Sequence, residues 1–489
     1  MSADNTRRDF LTGGAAAAGL LAVGGAAEAA GPPAVESDQP KHDHDKHAKA
    51  HGYPRDRAGV GGPVGSATDR GKLVPGRRSA TEPPVLVETP DLPNNLPWKM
   101  VKGAKEFHLH AQPVKRELLP GSFMNHWGFN GTMPGPTIQV TEGDRIRIVL
   151  HNELPEPTTL HLHGLELPIA MDGIDFVTQN PIMPGEAKAY EVTLHQNGTF
   201  FYHPHMAMQE AFGMVGLLIV HPREAYQPVV DQDFALITQE FVIEPAASTP
   251  ATARMDFNWF TFNGRSGPYI TPLVVKLGNR VRIRLLNFST DDHHPIHLHG
   301  HTFWVTGNEG GRVPESAWVP GNNVLVGVAQ VREIEFIANN PGDWVMHCHM
   351  FHHMMNHMVP GVGPGSRRMV AFGPTKSADP HAGHGKTAPP MTKGGGKMID
   401  PYTVPGYPQD AGMHAMMSNE EVAKLVSNPR TRGMAPEWYM GVMGLMTVVR
   451  VLPPDLYEKV ISGKGEIPAG ASVPGATFGQ GGHAEHTKH

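Results

Sequence analysis

The chain has 489 residues, 39% of them hydrophobic and 18% charged, with a formal net charge of −6 and a single cysteine. Mild acidity without a basic cluster excludes an electrostatic nucleic-acid partner. One cysteine excludes an intrachain disulfide framework, and the length exceeds what one domain needs.

The N-terminus reads Thr6-Arg7-Arg8-Asp9-Phe10-Leu11, followed by a Gly/Ala-rich apolar stretch to about Ala30. Residues 1–30 have the form of a twin-arginine export signal with small-residue cleavage options near Ala27 to Ala30. A short membrane anchor is the competing reading. The glycine content and short apolar length argue against it, so no stable membrane insertion is expected. The mature protein is then periplasmic or secreted. Residues 31–94 are rich in Pro, Gly, His and charge and read as a disordered leader. His42, His44, His47 and His51 there are either loose copper ligands or a solvated tail.

From residue 95 the pattern changes to alternating runs separated by Pro/Gly turns, with no convincing long helix before residue 400. This predicts antiparallel β-sandwiches. An internal duplication divides the region. Gly-Asp-Arg-Ile-Arg-Ile-Val-Leu-His-Asn at 143–152 matches Gly-Asn-Arg-Val-Arg-Ile-Arg-Leu-Leu-Asn at 278–287. His161-Leu162-His163-Gly164 matches His297-Leu298-His299-Gly300, and Gly198–Met206 matches Gly342–Met350. Three matches in one order mean two copies of one domain, each of ordinary size. The expected division is domain 1 at 95–224 and domain 2 at 225–375, both all-β.

Four His-x-His pairs recur in these copies: His161/His163, His203/His205, His297/His299 and His347/His349. Alternate side chains of a strand share a face, so each pair points one way. Eight imidazoles would suffice for three copper ions. A His-x-His pair alone is weak evidence, since His42 and His44 form one in the leader. Cys348 lies between His347 and His349 and therefore faces the other side. With His353 and Met358 nearby, it supplies the strong and weak ligands of a blue-copper centre. Domain 1 has Pro204 in the place of Cys348, and proline cannot ligate. Both domains contribute cluster histidines, so the cluster is expected between domains.

These motifs, over about residues 95–375, resemble the multicopper oxidases. The resemblance implies two cupredoxin-like Greek-key β-sandwich domains of the two-domain, small-laccase type, with blue copper in the second. It implies four copper ions per functional unit. His294, Cys348 and His353, with Met358 axial, match the type 1 ligands. His161 and His297 match those of type 2. His163, His203 and His349 match one type 3 copper, and His205, His299 and His347 the other. Asp172 matches the acid that passes protons to oxygen, and Cys348 the electron entry to the cluster. Met354 stands where some members carry an acid as part of a proton path, so the resemblance does not extend to that path. Without a middle domain, domain 1 of one subunit would meet domain 2 of the next, and a homotrimer is expected.

The implied activity is one-electron oxidation of phenols or Cu(I) coupled to four-electron reduction of O2 to water. The partners would be O2 and a small reducing substrate. Two alternatives stand beside it. A copper nitrite reductase shares the domain count, but the Pro204/Cys348 asymmetry argues against it. A non-enzymatic periplasmic copper-binding protein would use the His- and Met-rich tails.

Asp291 and Asp292 would either orient a cationic substrate or be solvated loop charges. His293, His301, His352 and His357 adjoin ligands without a motif role. Residues 376–489 are read as linker and a mixed, Met-rich C-terminal extension. Helices are expected near 418–427 and 455–461, with a Thr-Val-Val-Arg-Val-Leu run between them. Its methionines are either soft Cu(I) ligands or packing groups.

Overall fold

A computed structural model describes residues 83–244, 247–354 and 417–473. The export signal, most of the leader, Met358, Met413 and the linker lie outside these residues.

Domain 1 has nine strands in two sheets. They are β1 (Lys99–Val101), β2 (Ala104–Leu119), β3 (Ser122–Phe129), β4 (Ile138–Thr141), β5 (Arg145–Asn152), β6 (His161–His163), β7 (Ala187–Thr193), β8 (Gly198–His203) and β9 (Gly216–His221). One sheet has the order β1-β2-β5-β7 with β3 on β2; the other is β4-β9-β8-β6. Leu109, Ile148, Leu150, Leu162, Phe200 and Leu218 fill the space between them. Period-two alternation puts these apolar side chains inward. A short helix α1 (Ala207–Ala211) lies between β8 and β9.

Domain 2 repeats the plan with β10 (Gln232–Phe241), β11 (Trp259–Phe262), β12 (Leu273–Lys276), β13 (Arg280–Asn287), β14 (His294–Leu298), β15 (Phe303–Asn308), β16 (Gly311–Arg312), β17 (Val319–Gly321), β18 (Asn323–Val326), β19 (Val331–Ile337) and β20 (Gly342–Cys348). The repeat reaches single side chains. Asn152 Nδ2 donates to the carbonyls of Glu156 (2.9 Å) and Ile182 (2.8 Å). Asn287 Nδ2 donates to those of Asp292 (2.9 Å) and Val326 (3.0 Å). The strand-rich, two-sandwich architecture agrees with the expected cupredoxin-like all-β class.

Between β20 and the end of the described chain come helix α2 (Asn419–Val426), strand β21 (Met446–Leu452) and helix α3 (Pro454–Ser462). Both helices fall where the sequence places them. Strand β21 corrects the domain boundary at 375. It lies between β12 and β20, parallel to the first and antiparallel to the second. This is the position that β9 holds between β4 and β8. Domain 2 therefore takes its last strand from beyond a long insertion. The reason is energetic. Val448, Val449, Val451 and Leu452 are buried, each stabilising by about 1.5–3 kcal/mol. Lengthening a loop adds closure cost only logarithmically.

The leader boundary at 94 is also corrected. Val87 and Leu92 are buried. Val87 N–H donates to Gln139 Oε1 of domain 1 (2.9 Å), and Glu88 N–H to the Asp233 carbonyl of domain 2 (2.8 Å). The Pro-Pro-Val-Leu-Val run at 83–87 thus straps the two domains. Beneath it, Phe201, Leu217 and Ile219 of domain 1 meet Ala235, Ile237 and Leu286 of domain 2.

Candidate metal centres

The first centre is in domain 2. Strand β14 presents His294, β20 presents Cys348, and the 3-10 turn Phe351–Met354 presents His353. All three are buried. The Nδ1 atoms of His294 and His353 are 3.1 Å apart, and Cys348 Sγ lies 3.7 and 3.5 Å from them. Three ligands around one first-row metal at about 2.0–2.3 Å would be separated by roughly 3.5 Å. The donor set and its spacing therefore fit a trigonal copper site. The other ring nitrogens are held: His294 Nε2 is 2.6 Å from Ser289 Oγ, and His353 Nε2 is 3.3 Å from Asp292 Oδ2. Such partners fix ring orientation. Phe260 stacks on the His353 ring at 4.0 Å.

Burial sets the charges here. It pushes the Cys348 thiol up to about 12 and His294 down to about 3, the latter with help from His353. The imidazoles are thus neutral and ready to coordinate, while the thiol keeps its proton until a cation displaces it.

The remaining predicted ligands form two quartets, one per domain. In domain 1, register pairs His161 with His203 on β6 and β8. His163 Nδ1 is 3.2 Å from His203 Nε2, and His161, His163 and His203 bring ligand atoms within 4.8 Å of one another. His161 also meets His205 at 5.9 Å between rings. In domain 2, His297 pairs with His347 on β14 and β20. His299 Nε2 is 3.1 Å from His347 Nε2, and His349 meets His297 at 5.7 Å.

Backbone carbonyls fix the tautomers. The Nδ1–H groups of His161, His203, His297 and His347 donate to the carbonyls of Asp172 (2.8 Å), Pro204 (2.9 Å), Asn322 (2.6 Å) and Cys348 (2.8 Å). Each leaves Nε2 free to ligate. Burial lowers the pKa of His161, His299 and His347, and together with His203 and His161 it brings His163 down to about 4. Among the described residues no ring contact or hydrogen bond joins one quartet to the other. The structure brings each half-cluster together but not the two halves.

Asp172 stands beside the first quartet, its Oδ1 3.5 Å from His161 Nδ1. Gly173 lets this loop close, since a Cβ there would meet the Leu160 carbonyl at 1.9 Å. Three supporting residues were not anticipated. Ser289 needed the tertiary structure to be seen. Glu240 accepts from the N–H groups of Asp291 (2.7 Å) and Asp292 (3.1 Å), and burial raises it to about 8. Leu445, whose carbonyl accepts from Cys348 N–H at 3.0 Å, was hidden by the insertion. Its signal was Gly213-Met214-Val-Gly-Leu in domain 1, echoed by Gly444-Leu445 before β21.

Comparison with known proteins identifies the family of both sandwiches. Two family models, both described as multicopper oxidase, match residues 110–225 and 243–362. A Kuenenia stuttgartiensis protein named "Probable nitrite reductase-hydroxylamine oxidoreductase fusion protein" is 28% identical over 52% of this chain and 31% of its own length. Multicopper oxidase mco of Staphylococcus aureus is 30% identical over 45% of this chain and 51% of its own. The chain thus spans about a third and half of these relatives' lengths. Blue copper oxidase from Nitrosomonas europaea matches at 29% identity, over 53% of this chain and 83% of that one, with a TM-score of 0.48. Two adjoining family matches over the two sandwiches that carry these ligands mean that the chain belongs to the multicopper oxidase family.

Proposed function

We propose that this protein is a copper-dependent oxidase that couples one-electron oxidation of a small reductant to four-electron reduction of O2 to water. One observation carries the reading: strand β20 belongs to both kinds of centre. The Cys348 side chain enters the buried triad, and its neighbours His347 and His349 enter the second quartet. Copper held at both places would take single electrons and deliver four to O2. The chain's own part is to present eight imidazoles from four strand ends, to join the two centres covalently, and to set Asp172 near O2 as a proton donor. The assignment is one type 1, one type 2 and two type 3 coppers, held by the cysteine and the histidines named above.

The separated quartets favour assembly. In this reading domain 1 of one subunit faces domain 2 of the next, and a closed homotrimer satisfies every such interface. Both open quartets have apolar rims. Ile169 precedes the loop whose Asp172 carbonyl holds His161, and Phe176 follows it. Val319 precedes Asn322, whose carbonyl holds His297, and Phe351 packs 5.9 Å from His349. All four apolar side chains are more than half exposed. Patches of this kind mark interaction sites.

Nitrite reduction is disfavoured because Pro204 occupies the ligand position in domain 1. The export signal supports a periplasmic or secreted location. Among the described residues no helix is long and apolar enough to cross a membrane. Oxygen consumption by the copper-loaded protein with a phenol and with Cu(I) as rival donors tests the proposal. Uptake with either supports it and ranks the substrates. Nitrite turnover without oxygen uptake, or no turnover at all, overturns it.

A further inference from the structure

Domain 1 contains the outline of the triad's pocket without its ligands. Strand register makes the correspondence. Tyr202 pairs with Gly216 and Gly198 with Val220 in domain 1. Met346 pairs with Thr447 and Gly342 with Val451 in domain 2. Because His203 corresponds to His347, Gly216 corresponds to Thr447, and Met214 therefore corresponds to Leu445.

Hydrogen bonds support the same alignment. Met214 N–H donates to the Gln209 carbonyl (3.3 Å), and Leu445 N–H donates to the His353 carbonyl (2.9 Å). Gln209 follows His203 at the interval by which His353 follows His347. Thr158 precedes His161 as His294 precedes His297. In domain 1, Thr158 Oγ1 donates to Gln209 Oε1 at 2.7 Å. In domain 2 the corresponding atoms are the facing Nδ1 groups of His294 and His353. The four walls of the pocket are thus Thr158, Pro204, Gln209 and Met214 in one copy. In the other they are His294, Cys348, His353 and Leu445.

Leu445 is fully buried in the core cluster that contains Cys348, and its carbonyl accepts from Cys348 N–H at 3.0 Å. We infer that Leu445, delivered from beyond the insertion, takes the axial place over the type 1 metal, and that Met358 is not a ligand. This rests on the copper reading above. It adds that the site has three strong ligands and an apolar fourth wall. A hydrocarbon wall donates nothing to the cupric ion and favours the lower charge, so the potential is set high.

The test uses the copper-loaded full chain, with its reduction potential, visible spectrum and electron paramagnetic resonance as readouts. Met358→Leu should leave all three unchanged. Leu445→Met should lower the potential and alter the ratio of the visible bands, because a thioether then reaches the metal. A shifted potential or spectrum in Met358→Leu overturns the inference, and that variant decides the matter even where Leu445→Met fails to fold. A folded, blue Leu445→Met with unchanged potential and spectrum overturns it as well. Failure of the unsubstituted protein to turn blue with copper would instead remove the copper reading, and this inference with it.

Discussion

His353 Nε2 lies 3.3 Å from Asp292 Oδ2, while its Nδ1 faces His294. A loop acid that reads as solvated or substrate-orienting in sequence thus holds the ring of a candidate metal ligand. Removing a partner of this kind typically weakens metal affinity or activity about 10–100-fold. Asp292→Ala should therefore lose copper to a competing chelator at concentrations that leave the unsubstituted protein loaded. Equal retention by the two would mean that Phe260, stacked on the same ring, suffices to hold it.

Cys348→Ser removes the only thiolate. The copper-loaded variant should lose the intense visible absorption and oxygen turnover. The eight cluster imidazoles are untouched, so copper bound outside the triad should remain by metal analysis. A variant that stayed blue would place the chromophore elsewhere.

The all-β fold and the side chains of the candidate site were legible in sequence, but the partners that hold them were not. Two-residue spacing puts His347 and His349 on one face and Cys348 on the other, a property of any strand. The internal repeat supplied the remaining His-x-His pairs. What sequence could not show was partnering over long separations. Arg145 and Arg147 in β5 and Arg280, Arg282 and Arg284 in β13 have the same alternation. Arg145 is exposed and Arg147 half-buried, whereas all three arginines of β13 are buried against Asp233, Glu333 and Glu335. Only the tertiary fold decides which strand carries its counter-ions inside. Strand β21 escaped for a similar reason: its run was visible, but its partners lay across the insertion.

The half-clusters predict a linked loss of assembly and activity. Phe176 is 80% exposed and Ile169 73%. Phe176→Asp should yield a smaller species by analytical ultracentrifugation. That species should keep the blue centre, which one chain completes alone, yet lose oxygen consumption. A fully active monomer would refute the shared cluster.

Buried histidines predict acid sensitivity in the metal-free protein. Burial brings His126 down to about 3 and His221 to about 4. In the unfolded chain both take up a proton near pH 6.5. Their neutral burial costs nothing above that value. As pH falls below it, the unfolded state gains protons that the folded state refuses, at about 1.4 kcal/mol per pH unit for each group. The loss levels off below the folded values. Melting temperature should therefore fall between pH 7 and 5, less steeply in His126→Gln. A flat profile in the unsubstituted protein would contradict the buried, neutral assignment.

The C-terminal segment can no longer be removed as an appendage. Truncation at residue 376 deletes β21 and, with it, Leu445, Val448, Val449, Val451 and Leu452, all buried. At about 1.5–3 kcal/mol for each side chain, the loss approaches or exceeds a whole domain's net stability of about 5–15 kcal/mol. The truncated chain should be insoluble or unfolded by circular dichroism. A soluble, blue truncation product would show that β20 does not need this partner. Whether the methionines serve Cu(I) must therefore be asked within the intact chain. Met440 and Met443 are partly exposed next to the segment that reaches His353, whereas Met434 is buried in a small apolar cluster. Paired Met440→Leu and Met443→Leu changes preserve volume and remove both thioethers, at a cost expected below about 1.5 kcal/mol each. If these sulfurs hand Cu(I) to the site, kcat/KM for cuprous oxidation should fall while phenol oxidation is unchanged. An equal effect on both donors would leave packing as their role.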